Sequence, residues 1–207
     1  MFCKPSCLGS SIGVSRADDR EKLREALDLA FTYDRRVLIE KGLDHPIEVN
    51  CSVLGFDNEC SASVTEMPTT SGGDLLDFAD KYLTGSGSKG MASLKRVMPA
   101  PVGDAMIHRI EELSKQIFRA LDCKGVVRID YMLTKEDELY ITEINTIPGS
   151  MAFYLWQESG VPYAQLIDRL VDYANRAFAE KNENDYAFTS DILNGVVLGG
   201  KKGGKLG

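Results

Sequence analysis

Apolar positions along the chain follow two periods. Leu23, Ala26, Leu27, Ala30 and Phe31 recur at helical spacing, which predicts an amphipathic helix to about Tyr33, capped by Asp18 or Asp19. Residues 37–40 then read as a short buried strand. Ile47, Val49, Cys51 and Val53 alternate with Glu48, Asn50 and Ser52, the pattern of a half-buried strand over 47–54. Residues 55–58 should turn it, and 59–64 should return. No period holds from Met67 to Ser93, where Gly72, Gly73, Gly85, Gly87 and Gly90 predict a long mobile loop. A helix over 104–121 is expected, capped by Asp104, with Ile107, Ile110, Leu113, Ile117 and Leu121 as its stripe. His108 lies off that stripe. Residues 150–156 read as a packed connector. The last clear helix spans 163–180, with Leu166, Ile167, Leu170, Val171, Ala174 and Phe178 inward.

The most distinctive stretch is 125–149, GVVRIDYMLTKEDELYITEINTIPG. Val126, Val127, Ile129, Tyr131 and Leu133 lead into a polar turn at 134–138, and Leu139, Tyr140 and Ile141 lead out. Residues two apart on a strand share a face. Arg128 and Asp130 are therefore neighbours on the first strand, and Glu143 and Asn145 on the second. A loop of residues 135–138 sets Asp130 opposite Glu143 and Arg128 opposite Asn145. Two carboxylates about 5 Å apart repel. A hard divalent cation such as magnesium removes the conflict, because it prefers carboxylates and phosphate oxygens. Asn145 adds a neutral oxygen, and Arg128 can hold an anion. A half-exposed hairpin with a solvated ion pair fits the same pattern.

Composition narrows the setting. The chain has 207 residues, 43% hydrophobic and 27% charged, as in a soluble globular protein of one sizeable domain or one and a half smaller ones. A net charge of −7 argues against a nucleic-acid partner. No apolar run approaches the ~18 residues of a membrane span, and no apolar stretch follows residues 1–5 to make a secretory signal. The expected location is the cytoplasm. Five cysteines without a CxxC pair, and two histidines without zinc-like spacing, predict reduced and mostly buried thiols.

Other segments offer weaker candidates. Lys4 precedes a glycine–serine loop containing Gly9, Ser10, Ser11 and Gly13. Its N–H groups and hydroxyls suit phosphate oxygens, or it is simply a loop. Glu40, Lys41, Gly42 and Leu43 follow a strand and form an edge where a planar ligand can pair with backbone. Lys81 and Tyr82 sit in the long loop, either as a surface pair or as groups brought in by closure. Residues 199–205 fit GxxxxGK, but Leu206 stands where magnesium needs Ser or Thr. That stretch reads as a disordered Gly/Lys tail.

Taken in order, Lys4-Pro5, Leu8-Gly9-Ser10-Ser11, Asp80-Lys81-Tyr82, Arg128-Ile129-Asp130 and Glu143-Ile144-Asn145-Thr146-Ile147-Pro148-Gly149 resemble the D-alanyl-D-alanine ligases of the ATP-grasp superfamily. The resemblance runs from Phe2 to about Glu180. It implies an α+β, ATP-grasp fold with mixed and antiparallel sheets. Residues 1–40 would be a remnant of the small lid subdomain, 41–185 the large subdomain with a mobile loop at 67–93, and 186–207 a largely disordered tail. It implies ATP between two sheets, with Lys4 and Lys81 on the phosphates. Glu40, Lys41 and Leu43 would hold the adenine and Glu48 the ribose. Asp130, Glu143 and Asn145 would hold two magnesium ions, or manganese in their place. One D-alanine carboxylate would attack the γ-phosphate, and the amine of a second D-alanine would attack the acyl phosphate formed. Arg128 and the Gly149 N–H would stabilise charge, and Ser10 and Tyr82 would position the first alanine. Tyr82 favours an amine nucleophile, D-alanine or D-serine. Another carboxylate–amine ligase, or a non-catalytic magnesium–nucleotide module, are the competing readings.

The sequence departs from the family pattern twice. Tyr154, followed by Leu155, stands where a serine grips the second alanine's carboxylate, so either the phenol or a backbone group takes that task. The family also has an N-terminal domain ahead of the position of Lys4. The resemblance therefore implies a C-terminal fragment or truncated product, inactive alone, with that domain as its missing partner and an exposed strand edge at residues 2–5. Relatives of this kind are commonly homodimers.

Overall fold

A computed structural model describes residues 1–69, 96–184 and 187. Phe2–Pro5 (β1) is the middle strand of a three-stranded antiparallel sheet, between Ser15–Arg16 (β2) and Val37–Glu40 (β3). The open edge expected at residues 2–5 is therefore filled, and the sheet's edges fall on β2 and β3. Helix α1, Arg20–Tyr33, starts where the Asp19 carboxylate accepts the Lys22 N–H at 2.8 Å, as an N-cap should. Its Ala26 packs with Cys3 and Ala17, and Leu23, Leu27 and Val37 close around them. β3 is not the buried strand expected: Leu38 and Ile39 are both about half exposed, because β3 is an edge strand. Phe31 is likewise exposed, on the outer side of α1.

The second sheet has four antiparallel strands in the order β5-β4-β8-β9. They are Glu59–Ala62 (β5), Ile47–Phe56 (β4), Lys124–Leu133 (β8) and Leu139–Asn145 (β9). Between them in sequence, Met67–Pro68 (β6) pairs with Arg96–Val97 (β7). The loop expected from residue 67 thus begins as strand. Residues 70–95, Lys81 and Tyr82 included, lie outside the described residues, as does the GxxxxGK stretch.

Each face of this sheet has its own cover. Helix α2, Asp104–Ala120, lays Ile110 and Phe118 on Val49, Cys51, Val53, Val127, Ile129 and Tyr131. Gly103, not Asp104, is its N-cap. Asp104 occupies the first turn, where a carboxylate favours the helix dipole. The buried line of α2 is Ile110, Ser114 and Phe118, and Leu121 is exposed at its end. Ser114 belongs there because its hydroxyl and that of Tyr131 satisfy each other at 2.7 Å. His108 is exposed as expected.

On the opposite face, Leu54 and Val126 meet Trp156, Val161 and Leu166 from helices α3, Phe153–Glu158, and α4, Tyr163–Glu183. This second cover explains why β4 is buried on both faces from Cys51 onward and reaches Phe56. Ser52 is satisfied there, donating to the Val127 carbonyl at 2.7 Å and accepting from Trp156 Nε1 at 3.0 Å. α4 is about 30 Å long and outruns the surface it packs on. Val171, Ala174 and Phe178, expected inward, are therefore exposed. All five cysteines are free; Cys3 and Cys51 are buried, while Cys7 is exposed. Burial pushes the Cys51 thiol up to about 11.

Gly55 closes the β4–β5 hairpin at very short range. A Cβ there would lie 2.4 Å from the Glu59 carbonyl oxygen and 2.5 Å from Cys60 Cα. Gly55→Ala is expected to lose about 1–3 kcal/mol, measured as a lower urea midpoint at unchanged slope.

Candidate cation and phosphate site

The site starts with the register of β8 and β9. Leu133 pairs with Leu139, Met132 with Tyr140 and Tyr131 with Ile141, whereas Asp130 pairs with Glu143 and Arg128 with Asn145. The turn is 134–138, one residue longer than the expected 135–138 loop, and a bulge at Thr142 absorbs the difference. The Thr142 hydroxyl donates to the Asp130 carbonyl at 2.9 Å and fastens the bulge. Without it, Glu143 and Asn145 would turn to the α2 face. On the next strand, Asn50 pairs with Asp130 and Ser52 with Arg128, and Asn50 bridges Glu66. One row therefore runs Glu66, Asn50, Asp130, Glu143 across the sheet.

Arg128 grips Asp130 with two bonds, Nε to Oδ1 at 2.7 Å and Nη2 to Oδ2 at 2.6 Å. Asn145 Nδ2 donates to Asp130 Oδ2 at 3.1 Å and to Glu143 Oε1 at 3.0 Å. The Arg128 and Asp130 side chains are only 16% and 15% exposed. Burial pushes the Asp130 carboxyl up to about 6; Glu143 adds to the rise, and Arg128 restrains it. Burial also works against the Arg128 charge, but the hydrogen bonds and charge of Asp130 outweigh it and hold the guanidinium above its ordinary value.

A second cluster adjoins the first. Glu66 accepts from the Tyr154 hydroxyl at 2.6 Å and from Asn50 Nδ2 at 3.0 Å, and Arg96 lies 3.4 Å from its other oxygen. The Arg96 guanidinium also stacks over the Tyr154 ring, 3.8 Å from its centre. Burial and the Glu66 charge both push the Tyr154 phenol up, so it keeps its proton. Glu66 in turn adds to the field that keeps Arg128 charged.

The first cluster fits a hard cation. Its donors are two carboxylates and an amide, all oxygen. Among the described residues no three His, Cys, Asp or Glu side chains gather as a ligand set. Amide and phosphate oxygens would have to complete the shell, which is how magnesium is commonly held. The amide hydrogens of Asn145 already lie between the two carboxylates. A cation there would require that amide to turn and offer its oxygen.

The family model for the D-ala D-ala ligase C-terminus matches residues 1–172. The chain belongs to that family. The D-alanine–D-alanine ligase of Thermosipho africanus is 35% identical over 193 residues, covering 93% of this chain and 51% of the relative. That of Ruminiclostridium cellulolyticum is 40% identical over 196 residues, covering 92% and 50%. The chain thus spans about half the length of the curated relatives it matches. The structure of the D-alanine–D-alanine ligase from Coxiella burnetii superposes with a TM-score of 0.71 over 88% of this chain and 47% of its own, at 22% identity. That likeness is one of fold, and the fold is the ATP-grasp α+β arrangement. Every strand pairing among the described residues is antiparallel.

For a ligase-family chain, the remaining candidate residues fall in separate places. Lys4 and Glu40 are together on the first sheet, Nζ to Oε2 at 2.5 Å. Ser10 lies in a turn with φ of 54°, Lys41 is exposed and Leu43 half-buried. A cavity of about 490 Å³ touches Leu43 but lies among Phe2, Arg16 and Asp19, apart from the carboxylates. Glu48 is exposed on the same face of β4 as Asn50. Gly149 is exposed at the start of a 3-10 turn. Ser150, Met151 and Ala152 follow it with left-handed φ values of 50°, 56° and 49°, a cost of roughly 1–2 kcal/mol each for such residues. Tyr154 is buried against Glu66. The Leu155 side chain is fully buried with Ala152 and Tyr154, which leaves its backbone for a ligand.

Sequence reasoning missed Asn50, Glu66, Arg96 and Thr142. Asn50 was visible as a polar position of β4. Its value depends on β4 lying beside β8, a pairing that no local pattern announces.

Proposed function

We propose that the chain carries the cation- and phosphate-binding part of an ADP-forming D-alanine–D-alanine ligase, acting in the cytoplasm on peptidoglycan precursors. The observation that carries this reading is the Asp130–Glu143 row with Arg128 and Asn145 beside it, in a chain of the ligase family. In this reading Asp130, Glu143 and Asn145 hold magnesium, which when bound offsets the negative charge of the ATP phosphates. Arg128, freed from part of its hold on Asp130, presents its guanidinium to the phosphoryl group in transfer. Lys4 and Lys81 contact phosphates, Glu40, Lys41 and Leu43 the adenine, and Glu48 the ribose hydroxyls. The first D-alanine, positioned by Ser10 and Tyr82, attacks the γ-phosphorus through its carboxylate and ADP leaves. The amine of the second attacks that carbonyl carbon, loses a proton and expels phosphate, with the Gly149 N–H facing the oxyanion. Because the Tyr154 hydroxyl already donates its hydrogen bond to Glu66, the carboxylate of the second D-alanine falls to backbone N–H groups near Leu155. A homodimer is part of the same reading.

The test is ADP formation with D-alanine, ATP and magnesium, for the 207-residue chain and for the product of any open frame continuing upstream of its Met1 codon. We expect nucleotide binding without turnover from the short chain and D-alanine-dependent ADP release from the longer one. A longer product that binds nucleotide but releases no ADP with any D-amino acid would leave a non-catalytic binding module instead.

This reading makes cation affinity depend on pH. Asp130 must give up its proton to hold a metal, and burial pushes that carboxyl from 3.8 up to about 6. Magnesium affinity should be flat above that pH and fall about tenfold per unit below it, read by calorimetric titration. The sign for folding is opposite. Between the two values the folded state holds a proton that the unfolded state has lost. Asp130 therefore favours the fold most below the lower value, and that contribution disappears as pH rises through about 6.

A further inference from the structure

The row that ends in Asp130 and Glu143 does not begin there. Asn50 is the direct cross-strand partner of Asp130 and shares its face of the sheet. Its amide is held in one orientation. The Asn50 N–H and carbonyl both bond Glu66 backbone at 2.9 Å, and Nδ2 donates to Glu66 Oε1 at 3.0 Å. A carboxylate accepts only, so the amide must turn its nitrogen towards Glu66. The carbonyl oxygen is the opposite end of a planar group. It therefore faces away from Glu66, which bridges β4 on the side opposite β8. Glu66 is fixed in turn by Tyr154 at 2.6 Å and Arg96 at 3.4 Å.

We propose that Asn50 supplies its side-chain oxygen to the cation held by Asp130 and Glu143, and that Glu66 is the positioning residue that sets its amide. This rests on the cation reading above. The two amides of the site differ in a telling way. Asn145 has its nitrogen on both carboxylates and must turn before it can serve a metal. Asn50 already has its nitrogen engaged elsewhere, so its oxygen is pre-set. A neutral oxygen adds coordination without more negative charge beside Asp130, whose carboxyl already feels Glu143. Two carboxylates and two amides, with phosphate and water, make the oxygen shell that magnesium prefers.

The test is titration of the 207-residue chain with Mn2+ alone, following the paramagnetic resonance of the free ion. The wild type is expected to take up Mn2+. Asn50→Ala should bind about tenfold more weakly. Asn50→Asp, which adds a charged oxygen at the same place, should bind more tightly than wild type. Glu66→Gln can offer an N–H to Asn50 and so releases the amide's orientation. It should weaken Mn2+ several-fold at a temperature where circular dichroism shows it folded, a shift that a purely structural role would not produce. Asn50→Ala that folds by circular dichroism and binds Mn2+ like wild type overturns the proposal and leaves the cation reading standing. No Mn2+ uptake by the wild type overturns both. If Asn50→Asp fails to fold, the Asn50→Ala affinity decides alone.

Discussion

Asp130→Asn combined with Glu143→Gln is expected to weaken magnesium-dependent nucleotide binding by at least about 100-fold. The two substitutions keep shape and remove both charges that face the cation. At an effective dielectric of 20, one unit pair at 4 Å is worth about 4 kcal/mol, and a tenfold change in affinity is about 1.4 kcal/mol. Losing two such charges opposite a divalent ion therefore exceeds the 100-fold mark even after heavy discount for solvent at the exposed Glu143. The fold should survive. The amide introduced by Asp130→Asn would keep one acceptor oxygen for Arg128, and the double variant removes the repulsion that helps raise the Asp130 carboxyl. Titration calorimetry with magnesium and a non-hydrolysable ATP analogue gives the affinity, and circular dichroism confirms folding. Binding within threefold of wild type in the folded double variant would move the cation site off this hairpin.

Much of this hairpin was legible in the sequence. Alternation predicted that Arg128 and Asp130 share a face, and the partners opposite them were foreseen as Asn145 and Glu143, as found. The reason differed. The expected loop was one residue too short, and the bulge at Thr142 restores the same partners. A bulge is invisible to period counting because it appears only when two strands are paired. The second cluster was out of reach for a related cause. Glu66 lies 16 residues from Asn50 and 88 from Tyr154. Each contact exists only after β4, β6–β7 and α3 have met on one face.

Burial was legible wherever one face of an element is covered. The α2-facing residues Val49, Cys51, Val53, Val127, Ile129 and Tyr131 were all placed inward by alternation. It failed where a second layer or an edge intervened. Ser52 reads as solvent-facing but is sealed by Trp156, and Leu38 and Ile39 read as core but lie on an edge strand. The exposed Val171 and Phe178 show the same limit, since helical spacing gives a face but not the length over which it is covered.

Glu66→Ala should be among the most destabilising single changes around the four-stranded sheet, about 3–5 kcal/mol. Glu66 is nearly inaccessible and holds three partners at once: Asn50, Tyr154 and Arg96. The dominant cost is at Arg96, whose side chain is 10% exposed. Removing one partner of a buried pair leaves the other charge without that counter-ion, and typically costs about 3–5 kcal/mol. The stranded Tyr154 hydroxyl and Asn50 amide add to it unless water enters. Glu66→Gln should cost much less, about 1–2 kcal/mol, because it fills the same space and can keep its oxygen towards Arg96. Tyr154→Phe removes one hydrogen bond to a charged group, worth roughly 1.5–3 kcal/mol, and its effect should fall sharply when Glu66 is already Ala. That non-additivity in urea unfolding is the signature of one connected cluster. Additive losses would mean that Glu66 and Tyr154 stabilise the chain separately. The phenol proton would then be free for the carboxylate of an incoming amino acid, and the backbone near Leu155 would lose its proposed task.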